Sequence, residues 1–183
     1  FIFYELLTLS TWPLVTHKQN DAARAGGRTY LGVLLTTSIG FLLPAIIWTW
    51  VAAGTTDFTP GGILLGHLGP TAAAILLTLF VLGIGKAAVM PMHRWLPAAM
   101  VAPTPVSALL HAVAVVKAGV FTITKVVIYI FGLDFLAAVP LEKVLMYLAG
   151  FTVVAASVVA LKQVEIKRML AYSTISQLSY MVL

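Results

Sequence analysis

Apolar residues run through this chain in blocks too long for strands, separated by short polar connections. A helix needs about 20 mainly apolar residues to span a bilayer. Blocks of that kind cover roughly 1–16, 29–53, 70–90, 104–131, 143–161 and 168–183, the first and last cut short. They predict six helices and an all-α, polytopic membrane helix bundle. No block alternates polar with apolar positions, which argues against strands. An open sheet edge would also leave its backbone groups unpaired in lipid. The stretch "HKQNDAARAGGR" separates the first two blocks, and "GTTDFTPGG" opens the next connection. In "APTPVSALLH", Thr104 is placed to cap the fourth helix and Pro105 to take its first position, where a missing N–H costs nothing.

Composition supports the membrane reading. The 183 residues are 61% hydrophobic and 9% charged, with a mean hydropathy of +1.03, whereas soluble domains are about a quarter charged. The net charge of +5 then sets topology, and no nucleic-acid partner is expected. Loop charges alternate in sign. Loops 17–28, 91–103 and 162–168 are net positive, while 54–69 and 132–143 are net negative. The positive-inside rule places the basic loops in the cytoplasm of a bacterial or archaeal cell, whose plasma membrane holds the helices. Cysteine is absent, which removes disulfides and thiolate metal sites. The chain opens at Phe1 and ends at Leu183, both within apolar runs. Residues 1–183 are therefore expected to be a single internal piece of one transmembrane domain.

Four ionisable residues fall at membrane depth: Glu5, Lys86, His111 and Lys117. A charge at a helix centre costs about 2.5–3.5 kcal/mol even on the gentlest insertion scale, and such residues mark ion or proton paths. Lys86 stands out. In "GIGKAAVMP" it follows Gly83 and Gly85 and precedes Pro91, residues that interrupt helices where a cavity is lined. The plainer alternative is a lysine snorkelling from a helix end. Glu5, in "FYELLTLSTW", is the natural carboxylate partner, or else a surface glutamate. His111 and Lys117 share one helix, six residues and about 9 Å of rise apart. Ser107, one turn earlier, is within reach of His111, which alone would read as a satisfied core histidine. Lys125, near the far end of that helix, is expected to snorkel.

Other chemistries fail on the residues. "GIGKAA" is no phosphate loop, because Phe80 stands where the first glycine belongs. Neither HxxxH nor HExxH occurs, no nucleophile–base pair is apparent, and no cofactor or metal is expected. The polar set suits moving protons.

The run "GKAAVMPMHRWLPAAMVAPTPVSALLHAVAVVKAGVF" resembles the signature of the antiporter-like proton-translocating subunits. These occur in Mrp-type cation/proton antiporters and in NADH:quinone oxidoreductase, complex I. "FYELLTLSTWPL" is similar to the family's glutamate helix, and "LKQVEIKRMLAYSTISQLSYMVL" to its basic loop and following helix. The resemblance implies an inverted-repeat fold with an interrupted helix in each repeat, of which this chain holds most of the first. It implies that Lys86 is the lysine on the broken helix and Glu5 the carboxylate that modulates it. His111 and Lys117 would relay protons towards the second repeat. Many members carry acids where Ala98 and Val101 stand here. That departure points away from the closest complex I pattern, and "MVAPTPVSALLHAVAVVKAG", with "ELLTLSTWPLVTH", resembles the D-type branch of the Mrp antiporters. The leading expectation is a proton-translocating subunit of an Mrp-type antiporter, partnered by other membrane subunits, protons, sodium and lipid. The alternatives are the pumping subunit of a complex I and a non-conducting membrane scaffold.

Overall fold

A computed structural model describes residues 1–137 and 141–183, apart from the side chains at 141, 142 and 144. The regular elements among the described residues are helical. They are α1 (Ile2–Val15), α2 (Asp21–Ala53), α3 (Pro70–Gly83), α4 (Trp95–Ala98), α5 (Thr104–Phe131), α6 (Leu133–Ala137), α7 (Leu141–Leu161) and α8 (Ile166–Val182). α2 and α5 are each long and apolar enough to cross a bilayer unaided. α7 and α8 pair as a hairpin, joined across their interface by Ser157 and Ser176, whose hydroxyls lie 2.9 Å apart.

Several expected boundaries move, each for a local reason. α2 begins at Asp21, not at 29, because Asn20 Oδ1 accepts the Ala23 N–H at 2.8 Å and caps a helix there. Asp21, Arg24 and Arg28, expected in a loop, therefore lie on its first turns. A search for apolar runs overlooks such a polar helix start. α3 ends at Gly83, not at 90. The segment 91–103 is not a solvated loop but a string of short turns, with Trp95, Leu96, Ala99 and Met100 buried. Thr104 makes no cap; it is the first residue of α5, and Pro103 occupies the capping position. The acidic connection expected at 132–143 contains the short α6, and its residues 138–140 lie outside the described residues.

Both long helices contain wide turns. Ser38–Leu42 in α2 is π-helical just ahead of Pro44. Because proline brings no N–H to the helical ladder, a widened turn accommodates it. In α5 the turns Leu109–Val113 and Val126–Phe131 are π-helical, with Ala114 N–H reaching Leu109 O at 3.0 Å.

The interruption after α3 organises the bundle. Ile84 leaves helical geometry, Gly85–Ala87 makes a single tight turn, and Ala88 sits in the left-handed region at φ 56° and ψ 28°. That conformation costs an alanine about 1–2 kcal/mol. Lys, Ala and Ala are good helix formers, so packing overrides local preference here. α2 crosses at its wide turn, so close that a Cβ on Gly83 would lie 2.4 Å from Leu42 N. α5 crosses from another side, and a Cβ on Gly119 would lie 2.3 Å from Ala87 N. Every residue from Gly83 to Val89 is buried. The freed backbone groups find partners. Trp95 Nε1 donates to Gly85 O at 2.8 Å, Ala88 N–H to Gly85 O at 3.0 Å, and Met92 N–H to Val89 O at 2.9 Å. Trp95 is fixed in turn by an edge contact with Tyr30, ring centres 5.6 Å apart. The Tyr30 hydroxyl lies 2.7 Å from Thr11 Oγ1 on α1.

Backbone-to-backbone packing at Gly119 leaves no room for a methyl group. Gly119→Ala should destabilise the protein by about 1–3 kcal/mol, as overpacking does, and lower the thermal midpoint of the purified protein. Gly40→Ala is the matched control, since its added methyl meets nothing within 4 Å. Equal midpoints for the two variants would contradict the packing described.

Candidate functional site

Lys86 sits at the centre of the interruption and is fully buried. It does not lie within the continuous helix expected over 70–90, since α3 has already ended. Nor does it snorkel. Its side chain runs to α1, where the ammonium donates to the Tyr4 backbone carbonyl. It also stands over the face of the Tyr4 ring, 3.4 Å from the centroid. The Lys86 backbone N–H donates to the Tyr4 hydroxyl at 3.3 Å. Tyr4 therefore holds Lys86 through carbonyl, ring and hydroxyl together. A cation over a desolvated aromatic face gains about 2 kcal/mol or more.

Glu5 is the next residue of α1. Both of its carboxyl oxygens are buried and lack a hydrogen-bond partner, and it makes no direct ion pair with Lys86. Among the described residues the ion pair found is Arg168 with Glu165, at 2.9 Å on the surface. An unpartnered carboxyl in a dry interior is costly and calls for water or a proton. Lys86 is thus held by Tyr4, which precedes Glu5 and which the sequence did not single out. Its only signal was its place beside Glu5 in "FYELL".

The other two candidates lie on α5. His111 falls within a π-helical turn, and its Nε2 lies 2.9 Å from Met100 Sδ. Its Nδ1 is buried without a partner. Ser107 does not bond it; that hydroxyl donates to Ala102 O at 3.2 Å instead. Because of the wide turn and the bend at Ala114, the regular spacing assumed between His111 and Lys117 does not hold. Lys117 is exposed, on a different side of α5 from the buried Gly119 that meets the break. The structure joins Lys86 to Tyr4, the neighbour of Glu5 in α1, and leaves His111 and Lys117 in separate surroundings. Lys125 does not extend freely to the surface. Its ammonium lies among the rings of Tyr129, Phe58 and Phe121, at 4.3, 5.1 and 5.8 Å from their centroids.

Irregular backbone that buries an ammonium inside a helix bundle is a feature of membrane proteins built around ion paths. The class defined here is a polytopic helical membrane protein with an interrupted helix. Its family is the one described as NADH:quinone oxidoreductase/Mrp antiporter, TM, which matches residues 1–183, and the chain belongs to it. NAD(P)H-quinone oxidoreductase chain 5 of Synechocystis sp. is 36% identical over 195 residues, covering 100% of this chain and 27% of the relative. A Staphylococcus aureus protein described as antiporter subunit mnhA2 is 34% identical over 187 residues, covering 97% of this chain and 22% of the relative. A solved chain of the Mrp complex from Dietzia sp. superposes with a TM-score of 0.82 at 30% identity, covering 99% of this chain and 20% of that one. The chain thus spans about a quarter of these relatives. Their names support the broad family, while the D-type branch remains an expectation from sequence.

If Tyr4 positions Lys86, its ring and hydroxyl are separable by mutation. Tyr4→Phe keeps the ring and the carbonyl but loses one hydrogen bond, worth about 0.5–1.5 kcal/mol. Tyr4→Ala also loses the aromatic face. The thermal midpoint of the purified protein should fall slightly in the first variant and clearly further in the second. Equal midpoints in both would remove the ring from the account.

Proposed function

We propose that this chain is the proton-translocating core of a membrane subunit of an Mrp-type multisubunit cation/proton antiporter. The observation that carries the reading is Lys86, fully buried in the helix break with its ammonium on Tyr4 and an unpartnered Glu5 carboxyl alongside. Lys86 takes up and releases the proton. Tyr4 orients its ammonium, and Glu5 supplies the opposing charge without locking the lysine into a direct ion pair. His111 and the exposed Lys117 pass protons on towards the remainder of the longer protein. The basic segments 17–28, 91–103 and 162–168 face the cytoplasm of a bacterial or archaeal cell. The partners are further membrane subunits, and the ions are protons and sodium.

A second reading has support of its own. The quinone oxidoreductase chain 5 relative is 36% identical across the whole of this chain, as expected for the proton-pumping subunit of a complex I. The subunits that co-purify with the full-length protein separate the two readings.

Lys86→Ala should abolish proton transport in reconstituted vesicles while the assembly still forms, because losing a buried charge relieves about 2.5–3.5 kcal/mol of insertion cost. Transport at the wild-type rate would refute the proposal. On α5, Lys117→Leu should impair transport more than His111→Gln, since glutamine can still hold a water. Lys117→Arg should not rescue, because arginine does not give up its proton. If Lys117→Leu transports normally, the relay does not pass through α5.

A further inference from the structure

Met100 sits in a segment that is fixed from three directions. Ala99–Val101 forms a tight turn, closed by the Ala102 N–H donating to Ala99 O at 3.2 Å. α2 presses on the residue before that turn, so closely that a Cβ on Gly26 would lie 2.6 Å from Ala98 O. Ala102 O, just after the turn, accepts two donors. Lys167 Nζ reaches it from the first turn of α8 at 2.8 Å, and Ser107 Oγ from α5 at 3.2 Å. Met100 itself is buried. A methionine in a core is ordinarily an adaptable gap-filler. This one is carried on a backbone that α2, α5 and α8 all hold in place.

Its side chain meets His111, in the wide turn Leu109–Val113 of α5. Single wide turns within α-helices are frequent at functional sites. Here His111 Nε2 lies 2.9 Å from Met100 Sδ. A thioether sulfur carries no hydrogen and can only accept, and a neutral imidazole carries one N–H. The contact is therefore attractive when that hydrogen is on Nε2. The lone pair is then left on Nδ1, and Nδ1 is buried without a hydrogen-bond partner. An enclosed acceptor with no partner calls for a function or a water.

We propose that Met100 is the positioning residue of His111: its thioether accepts the Nε2–H and fixes the ring, so that His111 exchanges its proton at Nδ1. Which ring nitrogen is free to react is set by the bond the other one makes. Nε2 keeps its hydrogen throughout. Uptake forms an Nδ1–H bond, and release breaks the same bond and returns the electron pair to Nδ1. Lys167 and Ser107 serve the arrangement by holding the carbonyl two residues beyond Met100. That His111 carries protons rests on the proposed function. The contact, and the tautomer it selects, do not.

The test is nitrogen magnetic resonance of histidine side chains in the full-length protein in membranes, with His111 assigned by the signals lost in His111→Gln. In neutral His111 the Nε2 signal should be that of an N–H nitrogen and the Nδ1 signal that of a bare ring nitrogen. Met100→Leu keeps the volume and loses the acceptor. The share of the Nδ1–H tautomer should then rise about two- to tenfold, as loss of one hydrogen bond allows, with the thermal midpoint close to that of the parent. Norleucine introduced at position 100, which removes only the sulfur, should give the same rise and serves if Met100→Leu does not assemble. A parent protein whose neutral His111 is mainly the Nδ1–H tautomer overturns the inference. So does a tautomer ratio that neither replacement changes, which would make Met100 a gap-filler. Failure here with transport still dependent on Lys86 removes the role of Met100 alone. The expected spectra in a protein that transports normally without Lys86 remove the proposed function alone.

Discussion

Backbone groups released from a helix inside a bilayer have no water to bond, and everything around Gly83–Val89 answers that constraint. The seven residues are sealed on all sides. Trp95 crosses from the following segment to donate to Gly85 O, the tight turn bonds within itself, and the Tyr4 hydroxyl accepts the Lys86 N–H. The rest of the bundle serves this enclosure. Gly119 lets α5 press against it, Gly83 lets α2 do so at its wide turn, and the contacts among Trp95, Tyr30 and Thr11 tie α1 to the same centre.

Once the break is enclosed, its chemistry follows. A lysine on a continuous helix could extend its ammonium along the axis towards the surface. A lysine on the turn Gly85–Ala87 points into packed protein and must find its partners there. It finds a backbone carbonyl and an aromatic face on α1, both neutral. Among the described residues, the ammonium of Lys86 makes no direct contact with a carboxylate. Glu5, one residue further along α1, keeps its buried carboxyl without a hydrogen-bond partner.

Much of this was readable in the chain, though not all of it by the same route. Long apolar blocks marked the helices, and ionisable residues within them marked Glu5 and Lys86, because charge in lipid is rare enough to stand out. Boundaries were harder to read. Asp21–Arg28 is helical but polar, so a search for apolar runs starts α2 too late. "KAAVM" favours a helix locally, so only the crossing of α2 and α5 shows that α3 has ended at Gly83. The glycines read as helix looseners turn out to permit close approach. Tyr4 carried no mark of its own in an aromatic, apolar run, and its role depends on a contact between residues 82 positions apart. Lys125 looked like an ordinary helix-end lysine because the ring it meets at Phe58 belongs to a distant connection.

The central claim is that the ammonium held on Tyr4 is where the transported proton resides. The most direct measurement is nitrogen magnetic resonance of lysine side chains in the full-length protein in membranes, with the Lys86 signal assigned by its loss in Lys86→Ala. The spectra are compared at rest and under an imposed proton gradient. The account predicts that the Lys86 nitrogen passes between charged and neutral forms as the gradient is applied and reversed, while Lys125 and the surface lysines stay charged. A Lys86 signal that remains a single, unchanging form while transport proceeds would contradict it.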